Sequence, residues 1–251
     1  ARLEDDDVNV RREAVETLRE WEPVTLAQHA DTVAARLEDS YACVRCVALE
    51  TLRKLEPLTL AQHADAVAAR LEDSDEFVRC VALQTLRQLE RRTLVKYAGA
   101  VVSKLEDDDS NMRAQALKTL SKLGPPTLAQ HAGAVVARLE DDEWTIRSRA
   151  VNTLGKLEPA RLAQHADALV ARLDDEHTFV PNAVLEMLSN RLPRFLALGI
   201  DFNPATTGLD STCRVVRRRL LARLALYRCR LRFRVQRLAL YWYALPYRPN
   251  G

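Results

Sequence analysis

Apolar residues recur at helical spacing along most of the chain. Leu60, Ala64, Val67 and Leu71 stand at i, i+4, i+7 and i+11, which lays one apolar stripe along a helix. After the acidic turn Asp73-Ser74-Asp75, the residues Val78, Ala82, Leu86 and Leu89 form a second stripe. The two stripes predict a helix pair over 57–90, PLTLAQHADAVAARLEDSDEFVRCVALQTLRQLE, and this pair is one unit of an array. Shifted back by 34 residues it reads PVTLAQHADTVAARLEDSYACVRCVALETLRKLE, and the same skeleton returns at Pro125 and Pro159. A fixed period of this size means stacked helical repeats, each burying its apolar face on its neighbours. One slot is Leu in every unit: Leu18, Leu52, Leu86, Leu120, Leu154 and Leu188. The slot of Leu83 is always apolar as well (Val15, Leu49, Leu117, Val151, Leu185), so the second helix is expected to touch neighbours on both sides. In the first unit Val10, Ala14, Leu18 and Trp21 keep the same stripe.

The punctuation between helices is equally regular. Thr59 and Gln62 have the spacing of a capping box, repeated as Thr25/Gln28 and Thr127/Gln130, which predicts the first helix to begin at the Thr. Pro23, Pro57 and Pro125 stand two residues earlier and discourage the preceding helix from continuing. The second helix begins after an acidic turn whose side chains can cap it and suit its dipole.

The turn Asp followed by Val-Arg, then Ala and Leu, resembles the HEAT repeat. It occurs as Val10-Arg11, Val44-Arg45, Val78-Arg79, Met112-Arg113 and Ile146-Arg147, in phase over roughly residues 1–192. Tetratricopeptide repeats share the period, but their Trp-Leu-Gly, Tyr, Ala and Phe pattern is absent. The resemblance implies an all-α, right-handed α-solenoid of stacked helix pairs. It also implies a structural ladder between repeats, from Asp39, Asp73, Asp107 and Asp141 to Arg45, Arg79, Arg113 and Arg147.

Some segments depart from the pattern. At 90–97 Glu-Arg-Arg-Thr-Leu-Val-Lys-Tyr replaces the Pro, Gln and His of the other junctions. In the sixth unit Pro181 stands where Arg belongs, so its second helix is expected to start late, with Thr178 as cap, and Pro193 to close the array. Residues 193–212 read as a linker or irregular cap. Residues 213–251 read as a divergent basic tail, amphipathic with a helical period except where Arg230 to Val235 alternates like a strand. The chain opens on ARLEDDD, elsewhere the last turn of a first helix, so it reads as an array truncated at its N-terminus.

Charge divides the chain. The formal net charge of +2 conceals 11 Arg and no acid from Arg214 onward, which leaves 26 basic against 35 acidic residues before it, a net of −9. An acidic array followed by a basic tail is a prior for a charged partner or for self-docking. Five cysteines, an odd number, favour a reducing, cytoplasmic compartment over a disulfide framework. No apolar run approaches the roughly 20 residues that span a bilayer.

Candidate chemistry thins out under geometric scrutiny. His29, His63, His131 and His165 share one repeat position. Equivalent atoms of stacked helices lie roughly 8–10 Å apart, whereas zinc–nitrogen bonds are about 2 Å, so packing and hydrogen bonding are expected instead. Cys43-x-x-Cys46 has no second pair, and Cys80 reuses the Cys46 slot, which elsewhere holds Arg12, Ala114 or Ser148. The acid runs at 5–7, 107–109 and 174–176 lack the spaced ligands and central Gly of a calcium loop. No nucleophile–base pair or phosphate-cradling Gly loop is present, and the expectation is a chain with no catalytic residue, cofactor or metal.

The informative positions vary while the frame stays fixed. Arg12, Arg19, Arg53, Lys54, Arg87, Lys118, Lys122 and Lys156, against Glu16, Glu20 and Glu50, lie on the face of the second helices away from their stripe. In HEAT-like solenoids that face tends to line the concave side. Tyr41, Phe77 and Trp144 add aromatics at the start of second helices and are candidate interface anchors. The reading is a monomeric, non-enzymatic scaffold that binds an acidic peptide or protein on that face. Two other classes stay open. One is a HEAT-like bilin lyase or an enzyme regulatory subunit. The other is anionic lipid or nucleic-acid binding through the Arg-rich tail with Tyr241, Trp242 and Tyr243; the tail also reads as a cap on the last repeat or as the product of a shifted reading frame.

Overall fold

The computed structural model describes residues 2–197 of the chain. The linker from residue 198 onward and the basic tail at 213–251 lie outside the described residues. Every regular element among the described residues is helical, and the fold is an all-α solenoid. The chain divides into two bodies, residues 1–158 and 159–251.

The first body stacks the repeats. Its long helices are Val8–Arg19, Ala42–Leu52, Glu76–Leu86, Ser110–Leu120 and Trp144–Leu154, one per repeat, and each packs on the next. Repeats 1 to 5 are numbered here by these helices. Three of the long helices are capped as the acidic turns predict. Asp7, Asp75 and Asp109 accept backbone N–H bonds from the first turn, with Asp75 bonded to both Phe77 and Val78. Tyr41 and Glu143 stand at the same position without a side-chain cap.

The first half of each repeat is not one helix. In repeat 3 it consists of Pro57–Gln62, Ala64–Ala69 and a 3-10 turn, Arg70–Glu72. The break falls on His63, whose φ of −105° and ψ of 5° lie in the sparsely allowed bridge region. His29, Tyr97, His131 and His165 break their repeats in the same way. The predicted helix pair is therefore a triplet of two short helices and one long one.

The predicted capping box is also absent. Pro57 is the first helical residue and Glu56 the cap, so Thr59 lies inside the helix rather than ahead of it. Pro23 and Pro125 likewise begin their helices. Proline is suited to this position, because its fixed φ matches the helix and its missing N–H has no helical acceptor to find.

The core repeats with the sequence. Leu26, Leu60, Leu94 and Leu128 are buried in one slot, and Leu37, Leu71, Leu105 and Leu139 in another. The slot of Leu83 is buried throughout, as a helix touched on both sides requires. Thr51, Thr85, Thr119 and Thr153 are buried too, and each hydroxyl donates to the carbonyl four residues back. Trp21 differs from its counterparts. It is 37% exposed, while Leu55, Leu89, Leu123 and Leu157 in its slot are buried. Its ring meets His29 edge-on at 5.2 Å.

The second body begins with Pro159–Ala163 and Ala166–Ala171 and continues into Phe179–Ala197. The last helix starts directly after Thr178 and carries Pro181 in its first turn, the late start expected from that proline. It continues past Pro193 instead of ending there, so the boundary read at 193 falls within a helix.

Candidate protein-interaction surface

Two sets of basic residues differ in role. The first set is the ladder. Arg11 forms a bidentate pair with Asp39, Arg45 with Asp73 and Arg113 with Asp141, with Nε–Oδ2 distances of 2.8, 2.8 and 2.9 Å. Arg79 reaches Asp107 more loosely, at 3.4 Å. Each Arg belongs to the long helix of one repeat and each Asp to the turn of the next. The same guanidinium donates back to its own turn, as Arg45 does to the carbonyls of Asp39 and Ser40. The Asp meanwhile accepts the backbone N–H two residues on. The Arg11 hydrogen bond is the main reason the Asp39 carboxyl sits below its usual range. These groups are consumed by the fold. A parallel series supports them: Arg70 and Arg138 donate to the carbonyls of Leu37 and Leu105 in the preceding repeat, and Lys104 pairs with Glu72.

The second set lies along the long helices, and its acceptors change along the array. In repeat 1 Arg12 faces Glu16 at 3.9 Å. Arg19 donates to Glu50 of the next repeat. One repeat later Arg53 occupies the register of Arg19 and donates to Gln84 at 3.0 Å. Arg87 follows in the same register and donates to Gln115 at 2.8 Å. Lys54 and Lys122 share a second register, and each donates to a carbonyl of the preceding repeat, Lys54 to Arg19 and Lys122 to Arg87. Lys122 also reaches the carbonyl of Leu89 at 2.8 Å. Lys118 and Lys156 are exposed. From Arg19 to Lys122 these cations make hydrogen bonds between neighbouring repeats, whereas the contact of Arg12 stays within its own helix. Beyond Glu50 the ridge positions hold no acid.

The consequence is electrostatic. Burial, followed by the positive charge of Arg53, holds the Arg87 guanidinium below its ordinary value. Burial, followed by the charges of Arg87 and Arg91, does the same to the Lys122 ammonium. Arg91 did not stand out in the sequence. It occupies the place of the missing junction proline, and its Nε donates to the carbonyl of Lys122 at 3.1 Å. Its only sequence signal is a cation where Pro57 and Pro125 stand.

The aromatics occupy three different registers. Tyr41 is the cap residue of its helix and more than half exposed, with the Arg11 guanidinium 5.8 Å from its ring centre. Phe77 is the second residue of its helix and 68% exposed. Trp144 is the first residue of its helix and partly buried. Phe179 in the second body repeats the register of Phe77, is exposed, and stacks on His177 at 5.6 Å.

The remaining polar groups have structural partners. His63 is buried with its Nδ1 3.9 Å from Asp31, and Tyr97, in the His register, donates to Asp65 at 2.8 Å. Burial, with Asp75 and Glu50 adding to it, pushes the Cys46 thiol up to about 11, and burial raises Cys80 as well. A thiol held protonated in this way is a poor nucleophile. The acidic turns of repeats 4 and 5 face an open groove, but Asp107, Asp109 and Asp141 already hold backbone N–H groups or arginines. Among the described residues no cluster of His, Cys, Asp or Glu could hold a metal ion, and no helix is long and apolar enough to cross a membrane.

Comparison with known proteins bears on the frame. A family model described as HEAT repeats matches residues 100–189. Another, described as a HEAT repeat associated with sister chromatid cohesion, matches residues 30–52 and 64–86. No curated protein matches the sequence. Among solved structures, an engineered protein aligns with a TM-score of 0.60 at 15% identity, over 75% of this chain and 93% of its own. A designed armadillo repeat protein in complex with the peptide (KR)4 aligns with a TM-score of 0.61 at 14% identity, over 75% and 95%. A chain from a homology model of the full-length AP-3 complex aligns with a TM-score of 0.59 at 18% identity, over 76% of this chain and 38% of that one.

Proposed function

We propose, from the premise that this chain is a HEAT/armadillo-like repeat protein, that it is a non-enzymatic scaffold holding an acidic segment of a partner protein along the long helices of repeats 2 to 5. The observation that carries this reading is the loss of acid along one register. Glu16 and Glu50 give way to Gln84 and then Lys118, so the cations after Glu50 keep their charge in an array that is otherwise acidic. Phe77, exposed at the start of the helix that Arg87 ends, supplies an apolar anchor about 15 Å along the helix from it. The armadillo neighbour with (KR)4 illustrates an extended charged peptide held by a similar fold; here the ridge has the sign that suits an acidic one. The structural occupations of His63, Cys46 and the turn aspartates support the non-enzymatic reading. The free thiols Cys43, Cys46 and Cys80 favour a cytoplasmic setting.

The test uses the full chain and a fluorescein-labelled peptide of alternating Glu and Gly, read by anisotropy. Binding should weaken with salt. It should fall by about tenfold or more in a variant carrying Arg53→Glu, Lys54→Glu and Phe77→Ala, since each reversed charge now opposes the peptide. Equal affinity of variant and parent would remove the ridge as the site. Light scattering of the same sample should report a monomer.

A further inference from the structure

Three cationic side chains reach across the junction between repeats 3 and 4. Lys122 places its Nζ on the carbonyls of Arg87 and Leu89, and Arg91 places its Nε on the carbonyl of Lys122. Arg87 is steadied by Gln115 through one of its terminal nitrogens. Every acceptor in this arrangement is neutral, and none of the three cations forms an ion pair among the described residues. The side chains are thus positioned without being discharged. Arg87 keeps its Nε–H and second terminal nitrogen for another acceptor, and Arg91 keeps both terminal nitrogens. Planar guanidinium forks with free N–H groups match phosphate oxygens, and hydrogen bonds to a charged group are roughly twice as strong as neutral ones.

Resting on the acidic-partner reading above, we propose that Arg87, Arg91 and Lys122 form a phosphate-recognition node, and that the partner segment is a phosphorylated acidic peptide. A carboxylate brings one negative charge and two oxygens. A phosphorylated side chain brings close to two charges and three oxygens, enough to engage all three cations at once. Lys122 stands within the fields of Arg87 and Arg91, and a doubly charged group relieves that repulsion more fully than a singly charged one. Lys118, exposed on the long helix of repeat 4, would steer the peptide without fixing the phosphate.

The experiment compares three fluorescein-labelled peptides of Asp, Glu and Gly that differ only at a central phosphoserine, glutamate or serine, binding to the full chain. The phosphoserine peptide is expected to bind about tenfold more tightly than the glutamate peptide, the margin of one or two charge-assisted hydrogen bonds. Arg87→Gln, Arg91→Gln and Lys122→Gln should each reduce that preference to about threefold or less. Lys122→Gln removes the charge but keeps an N–H donor one bond shorter than that of the lysine, and circular dichroism checks that all three variants fold. Lys96→Gln, whose cation is paired with Asp65, should leave the preference intact. Equal binding of the phosphoserine and glutamate peptides would overturn the node and leave the acidic-partner reading standing. A preference that survives all three Gln variants would overturn the node as well. If none of the peptides binds, both readings fall.

Discussion

Arg19 and Arg87 occupy the same register two repeats apart, yet they end on chemically different acceptors. Arg19 donates to the carboxylate of Glu50 and Arg87 to the amide of Gln115. Both guanidiniums are held across a repeat boundary by a side chain of the next long helix, with Gln115 one turn earlier in its helix than Glu50 is in its own. The electrostatics are opposite. A carboxylate positions and neutralises its cation in one step, whereas an amide positions it and leaves its charge in place. Repeat 1 is therefore balanced on this face, with Arg12 and Arg19 set against Glu16 and Glu20, while repeats 3 to 5 are uncompensated. Paired and uncompensated cations are thus built from one residue type at one register, and the acceptor tells them apart.

The largest expected effect separates the ladder from the ridge. Arg45→Ala would leave Asp73, nearly buried, without its bidentate partner. Removing one partner of a buried pair is costly, and for this pair, whose Arg side chain keeps 10% exposure, the loss should be about 2–3 kcal/mol. Arg87→Ala abandons only a neutral acceptor and should cost within about 1 kcal/mol. Urea unfolding of the two variants measures the difference directly. The ladder should also respond to acid. Burial acts to raise the Asp73 carboxyl, but the Arg45 guanidinium and the Asp75 backbone N–H outweigh it, so its folded value is lowered, as is that of Asp39. A lowered folded value means that this stability is present above the unfolded carboxylate range, near about pH 4, and is lost as pH falls through the folded value. Lys122 contributes nothing in that window, because it is fully charged there in both states.

The next effect converts one region into the other. Gln84→Glu with Gln115→Glu would give Arg53 and Arg87 the kind of partner that Arg19 has. Affinity for an acidic peptide should fall by about tenfold, since two compensating charges enter the site, while the unfolding midpoint stays near that of the parent. A loss of affinity accompanied by a large loss of stability would instead show that the amides are needed for packing and that the contrast of acceptors is incidental.

Some of this could be read from the chain alone, and the reasons differ by feature. The repeat register and its buried slots follow from residue type, because Leu86 and its five counterparts can only be refilling one packing position. The ladder was legible only through resemblance to a family. Its partners lie 28 residues apart in sequence, so no local pattern links Arg45 to Asp73. The break at His63 was hidden for another reason. The stripe Leu60, Ala64, Val67, Leu71 stays on one face whether the helix is continuous or bent at its centre, so apolar periodicity does not report the bend. Thr59 misled because its spacing to Gln62 fits a cap, while Pro57 already fixes the start of the helix. The ridge cations were visible on a helical wheel. Their acceptors were not, being set by which side chain of the next repeat comes within reach, and Arg91 was obscured because it replaces a proline instead of extending a cationic series.

The smallest effect is the most discriminating, because it extends the ridge instead of removing it. Glu50→Gln would leave Arg19 with an amide acceptor, as Arg53 and Arg87 have, and would free one cation at the repeat 1 end. The pair is about one-third exposed on each side, so solvent screening limits the change in stability to within about 0.5 kcal/mol. Affinity for an acidic peptide long enough to reach repeat 1 should rise about threefold, and affinity for one spanning only repeats 3 and 4 should stay constant. This length dependence follows from uncompensated charge acting locally. A general gain of positive potential would strengthen both peptides alike, and anisotropy at physiological salt, where long-range attraction is screened beyond about 8 Å, separates the two outcomes.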